Sequence, residues 1–343
     1  MLGLSRLPRW SLVLAVSAGL TIPLALWAQE EIDVPLIRAG VTEVVVPVTV
    51  TDENGKFVTN LKRSDFEIYD QSIRQNIKFF TAEHNQPVVV GFLVDLSNNM
   101  KVRWKEYHTT TVEMVLSLLP GDPKYQGYLI GYGTEAEVMV DTTSDADKIV
   151  SKLDKISPAG GAALYDAIYL ACTSRKLVKG EPVEPRRVVV VVGDGHDNNS
   201  SHSLDEVIEL AQRSQLSIYA ISTDAYGFTS PAGKNLRRLA EETGGRVESP
   251  LENTYDNTQG FISRPSDEGA FEFKVGTGGY QNKILGSMYK SITAIAGEIS
   301  TQYILRYQPN TPGDESEKHE IKVIVNLANA KVRARSFYYQ PKP

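Results

Sequence analysis

Two runs of β-branched residues, each stopped by an aspartate, constrain this chain more than any other feature. The first is Val88-Val-Val-Gly-Phe-Leu-Val-Asp95 and the second is Arg187-Val-Val-Val-Val-Val-Gly-Asp194. Continuous apolar strands of this kind are buried on both faces and belong to the middle of a parallel sheet covered by helices. In such open sheets, ligands sit beyond the carboxyl ends of the strands, where the strand order reverses. Asp95 and Asp194 meet there if their strands are neighbours. With the Ser97 hydroxyl they form a hard-oxygen site suited to Mg²⁺, Mn²⁺ or Ca²⁺.

Around these runs the chain alternates strands and helices. Strands are predicted at 88–95, 125–131, 137–140, 187–192, 216–222 and 246–248. Helices are predicted at 101–119, 144–156, 164–177, 204–214, 235–242 and 283–300, with Ser144 and Asp147 as a capping-box start. The pattern implies an α/β fold: a doubly wound, mostly parallel six-stranded sheet with helices on both faces. Gly244-Gly245 follows a helix and reads as its stop, and the polar stretch 250–279 reads as a long loop or lid.

The flanks are all-β. Val44, Val46, Val48 and Val50 alternate, Asn54-Gly55 marks a tight turn, and short strands follow at 66–69 and 76–80. After the last helix come strands at 302–308, 319–326 and 331–339, the last two joined by the turn 327–330. Neither flank has enough strands to bury a face alone. The expected arrangement is one β-sandwich built from residues 29–84 and 302–343, with the α/β domain of residues 85–301 inserted between them; two separate small β units are the alternative.

Arg6 and Arg9 precede an apolar run from Trp10 to Trp27, and no acid appears before Glu30. Residues 1–28 therefore read as a signal peptide cleaved after Ala28, or else as an uncleaved membrane anchor. Both imply export to the periplasm, the cell envelope or the medium. Without those residues, 34 Lys and Arg face 42 Asp and Glu, a net charge of −8 that disfavours nucleic acid and anionic lipid. The single Cys172 cannot form an internal disulfide and falls in an apolar helical pattern as a small core residue.

Three segments carry a resemblance. Val94-Asp95-Leu-Ser97-Asn-Asn99, Gly160-Gly-Ala-Ala-Leu-Tyr-Asp-Ala-Ile168 and Val192-Gly-Asp194-Gly-His-Asp197 occur in this order. They resemble the metal-ion-dependent adhesion site of von Willebrand factor type A domains. Leu236-Arg-Arg-Leu-Ala-Glu-Glu-Thr-Gly-Gly245 and the flanking phrases Val50-Thr-Asp-Glu-Asn-Gly55, Asp65-Phe-Glu-Ile-Tyr69 and Gln302-Tyr-Ile-Leu-Arg-Tyr307 are similar to exported members described chiefly from acidobacteria. The resemblance implies metal ligation by Asp95, Ser97, Asn99 and Asp194, and a protein partner that presents an acidic residue to the divalent cation. Two positions depart from the family motif: Asn99 stands for a serine and Ala162 for a threonine.

A metal-independent reading stands beside this one. Ser97, Asn98 and Asn99 suit a helix N-cap, and Asp194-Gly195 is a common turn pair. The chain then becomes a structural or assembly protein of the envelope. Enzyme chemistry has little support. Gly193-Asp-Gly-His196 resembles the opening of a metallophosphoesterase, but His84, His108, His202 and His319 lie in none of the other required phrases. No nucleophile elbow, Walker loop or dinucleotide fingerprint is present. Trp104 and Tyr107, on the first helix, are core residues or a hydrophobic rim to the site, and Tyr226, Phe228 and Pro231 are further rim candidates.

Overall fold

A computed structural model describes residues 43–82, 86–174, 177, 185–223, 230–250, 278–310 and 318–339. The candidate signal segment, Tyr226, Phe228 and residues 251–277 of the polar stretch lie outside the described residues. The chain opens with strands β1 (Val44–Thr51), β2 (Phe66–Asp70), β3 (Ile73–Gln75) and β4 (Ile77–Thr81). It continues through β5 (Val88–Asp95), α1 (Trp104–Leu118), β6 (Tyr125–Tyr132), β7 (Ala136–Thr143), α2 (Ala146–Leu153) and α3 (Leu164–Thr173). Then come β8 (Arg186–Gly193), α4 (Leu204–Arg213), β9 (Leu216–Ser222), α5 (Pro231–Glu242), β10 (Val247–Glu248) and α6 (Gly278–Thr301). Strands β11 (Tyr303–Tyr307), β12 (Lys318–Val325), β13 (Lys331–Arg333) and β14 (Phe337–Tyr339) close the described chain.

The central sheet has six strands in the order β10-β9-β8-β5-β6-β7, all parallel except the edge strand β7. All eight residues of β5 are buried, as its composition requires. Successive side chains on a strand point to opposite faces. Val88, Val90, Phe92 and Val94 accordingly pack with α1, α2 and α6, while Val89 and Leu93 pack with α3, α4 and α5. Each such side chain contributes about 1.5–3 kcal/mol of burial, so the middle of the sheet is a stiff platform. The strand order reverses between β5 and β8, which places the crevice where the two aspartates end their strands.

The flanking strands form one sandwich, as expected. One sheet runs β13-β1-β11-β4 and the other β14-β12-β2-β3, so both ends of the chain contribute to each. The two faces share a core that includes Val46, Val48, Ile68, Tyr303, Leu305 and Tyr307. Residues 331–339, read from sequence as one strand, are two: β13 pairs with β1 in the first sheet and β14 with β12 in the second. The crossing is fixed by Arg335, whose buried guanidinium donates to the Val45 carbonyl. Short β3 is a strand that the alternation did not reveal.

Helix boundaries also shift for local reasons. Helix α2 is capped by Asp145, which accepts the Asp147 N–H, rather than by Ser144. Helix α5 begins at Pro231 behind a Ser230 cap, ahead of the expected Asn235. Helix α3 stops at Thr173. Among the described residues no helix is long and apolar enough to cross a membrane.

The α/β unit and the sandwich meet at Glu298 of α6, which is fully buried. Its Oε1 accepts from Thr49 Oγ1 at 2.9 Å and Tyr219 Oη at 3.2 Å. Its Oε2 pairs with Arg333 and, at 3.2 Å, with Arg246 Nε. Gln302 links Thr49 to Tyr219 and accepts from Arg186, so strands of both units converge on one carboxylate.

Candidate metal centre

Asp95 ends β5 and lies beside the carboxyl end of β8, because Val94 is paired with Val192. It has no exposed surface. Its Oδ1 accepts the Ser97 N–H at 2.7 Å, a side-chain turn that stops the strand. Ser97 then leads into a 3₁₀ segment, Asn98–Arg103, without using its hydroxyl as a cap. Asp95 Oδ2 and Ser97 Oγ are both buried and have no hydrogen-bond partner among the described residues. Burial first, and then the neighbouring Asp194 carboxylate, push the Asp95 carboxyl up to about 7, against the weaker pull of Ser97 and the Asp194 backbone.

Asp194 is the first residue beyond β8 and forms the wetter wall of the crevice, with 18% of its side chain exposed. Its Oδ1 accepts the His196 N–H at 2.8 Å and its Oδ2 accepts Asn99 Nδ2 at 3.2 Å. His196 sits at the rim with 57% of its side chain exposed and Nδ1 3.8 Å from Asp194 Oδ2. The four residues singled out from sequence are therefore gathered at one place. Asn99 arrives through its amide nitrogen, as a partner of Asp194.

The second segment, residues 160–168, is pinned between the other two. Ala159 N donates to Leu96 O at 2.6 Å, and Asn98 N to Gly160 O at 3.0 Å. Ala162 is buried, its N–H on Asn198 Oδ1 at 2.8 Å and its carbonyl accepting from Asn198 and Asn199. A Cβ on Gly161 would overlap the side-chain oxygens of Asn199 and Asn198, so glycine lets these side chains reach the loop without shifting. Behind them Asp197 accepts the Tyr165 N–H at 2.9 Å and the Ser200 hydroxyl at 2.6 Å, and Ser200 Oγ accepts the Asp166 N–H at 3.0 Å. The first turn of α3 is thus capped by the loop after β8.

Sequence reasoning missed Asn198, Asp197 and Tyr132. The first two lay in a polar phrase that reads as an ordinary turn. Tyr132 stands opposite Asp95 at the end of β6, a position marked in sequence only by its flanking glycines Gly131 and Gly133. Tyr107 is a core residue: it is buried, and its hydroxyl donates to the Thr223 carbonyl at 3.1 Å. Trp104 is half-buried and packs with Met100, Tyr107 and Met288. Cys172 is a free, partly buried thiol packed on the core, and burial raises it to about 12.

The donor set fits a hard divalent cation. Two carboxylates and a hydroxyl supply oxygen, and Mg²⁺ or Ca²⁺ sites anchored by one or two carboxylates keep waters in the remaining positions. Unpartnered buried oxygens beside a second carboxylate are costly unless a positive charge joins them. Ala162 offers no side-chain oxygen. Among the described residues no cluster of three or more His, Cys, Asp or Glu side chains is placed to hold a metal, so hydroxyl and water oxygens must complete any coordination.

No curated protein sequence matches this chain. Among solved structures, the conserved hypothetical protein BatB from Bacteroides thetaiotaomicron is similar at 19% identity over 62% of this chain and 97% of that one, with a TM-score of 0.37. The PilB minor pilin from Streptococcus sanguinis matches at 12% identity over 63% of this chain and 62% of its own, TM-score 0.41. Proximal thread matrix protein 1 from the mussel byssus, with a zinc-occupied MIDAS motif, matches at 18% identity over 49% and 42%, TM-score 0.40. Residues 90–259 match the family model of the von Willebrand factor type A domain. Domains of this type commonly bind protein partners, often bind a divalent cation, and are generally not enzymes. The unit built on the sheet from β5 to β10 matches the von Willebrand factor type A domain and has its α/β fold, carried on a β-sandwich.

Proposed function

We propose that this chain is an exported, non-enzymatic protein-interaction module of the periplasm, cell envelope or medium. Its crevice holds one divalent cation through Asp95, Ser97 and Asp194, with Asn99 steadying Asp194. The cation supplies a positive charge that an acidic side chain of the protein partner shares. One observation carries this reading: Asp95 Oδ2 and Ser97 Oγ are buried without hydrogen-bond partners among the described residues, next to a second carboxylate, at the point where the strand order reverses. The site is a reduced form of the metal-ion-dependent adhesion site, because Ala162 replaces its threonine and Asn99 its second serine. The basic and apolar first 28 residues support export. Isothermal titration of Mg²⁺, Mn²⁺ and Ca²⁺ into the protein tests it, with Asp95→Ala as control. Heat from the wild type that the variant lacks is the expected outcome. No heat, or equal heat from both, leaves a metal-independent structural or assembly protein of the envelope.

A further inference from the structure

Tyr132 is fully buried, and its hydroxyl has no hydrogen-bond partner among the described residues. A buried phenol ordinarily finds a partner. The ring projects from β6 on the same face as Asp95, and both converge on Gly193 of β8. A Cβ placed on Gly193 would overlap Tyr132 Oη and lie 3.1 Å from Asp95 Oδ2. The bare α-carbon of Gly193 therefore admits two unpartnered oxygens, one a donor and one an acceptor, to the same small volume. Asp95 Oδ1 is already taken by the Ser97 N–H. Each carboxylate oxygen has two lone-pair directions, so Oδ2 has room for a cation on one side and a donor on the other.

We propose that Tyr132 is a positioning residue of the metal centre, its hydroxyl donating to Asp95 Oδ2 when that carboxylate is ionised and ligating. This rests on the cation reading above. The phenol holds the ligand oxygen in orientation and offsets part of the cost of a charge with no exposed surface. Gly193 is the permissive partner, since any side chain there displaces the hydroxyl.

Titration of Mn²⁺ into wild type and Tyr132→Phe tests this, with thermal melts of both in EDTA. Phenylalanine keeps the ring and removes only the donor. The expected result is a melt close to that of wild type and an affinity for Mn²⁺ about 10- to 100-fold weaker, the usual loss for a group that supports a metal ligand. Equal affinity overturns the role of Tyr132 and leaves the cation reading standing. No binding by wild type removes both, so the two failures are distinct. Should Tyr132→Phe not fold, the wild-type chain made with 3-fluorotyrosine provides the second test. Its phenols are stronger donors in nearly the same volume, so Mn²⁺ should bind more tightly; unchanged affinity overturns the proposal.

Discussion

Asp95 and Glu298 are both carboxylates with no exposed surface, yet their surroundings are opposite in character. Glu298 is met by two arginines, a threonine and a tyrosine. Asp95 is met by Ser97, the Asp194 backbone and a second carboxylate, with no cationic side chain among the groups that act on it. The same burial thus serves two ends. At the junction the counter-charges are built into the chain, and the carboxylate fastens two units together. In the crevice the chain supplies none, and this is what makes the carboxylate available to the proposed cation. A buried acid with its cations in place is structure; one without them stays protonated until a positive charge arrives.

The largest test of this contrast is at the junction. Glu298→Ala leaves Arg246 and Arg333 facing a hole at the seam. Removing one partner of a buried ion pair costs about 3–5 kcal/mol. A loss of that size is expected in urea denaturation, and a loss below about 1 kcal/mol would erase the distinction between the two sites.

Asp95→Asn should act in the opposite direction. A carboxyl held near 7 in the fold and near 3.8 in the unfolded chain is protonated in the native state and ionised in the unfolded state between those values. Stability therefore falls as pH rises from about 4 to about 7, and stays reduced above. In EDTA at pH 8, the Asn variant is expected to exceed wild type by on the order of 2–4 kcal/mol. The gap should close near pH 4. Mn²⁺ should stabilise wild type only. Denaturation across pH, with and without the metal, checks all three; a destabilised Asn variant at pH 8 breaks the contrast.

The smallest effect sharpens the picture of the junction. Thr49→Val removes one donor to Glu298 and keeps the shape, while Tyr219 and both arginines remain. A cost of about 1–3 kcal/mol is expected from a hydrogen bond to a charged group. A larger cost in calorimetric melts would show that the Thr49–Gln302–Tyr219 chain acts as one unit.

Much of the architecture was legible because it is written locally. The runs at Val88 and Arg187 announce central strands, and the aspartates that stop them announce the crevice. Alternation in Val44–Val50 and the strands after α6 gave the sandwich. What escaped depends on contacts distant in sequence. Nothing near Arg335 shows that its side chain will seek the Val45 carbonyl and carry the chain from one sheet to the other. The clasp of Asn198 on Ala162 joins two loops that are each unremarkable alone. The start of α5, by contrast, is written locally, because Ser230-Pro231 is a cap followed by a helix-opening proline. The convergence of Asp95, Ser97, Asn99 and Asp194 on one place could be read from motif spacing. Tyr132 could not, since its role depends on which strand lies beside β5.

The lacing of the sandwich has a consequence for how the chain is made. Strand β1 is the first described element to leave the ribosome, yet its neighbours are β11 and β13, from residues 303–307 and 331–333. The α/β unit emerges between them and has its own two cores, and such units generally fold as soon as they are complete. During that interval β1 has only its local pairing with Phe57 and Val58, and the rest of this apolar strand is open to mispairing. Assembly therefore runs from the middle outward, and a release at residue 330 would strand the earliest-made segment without one of its two mates.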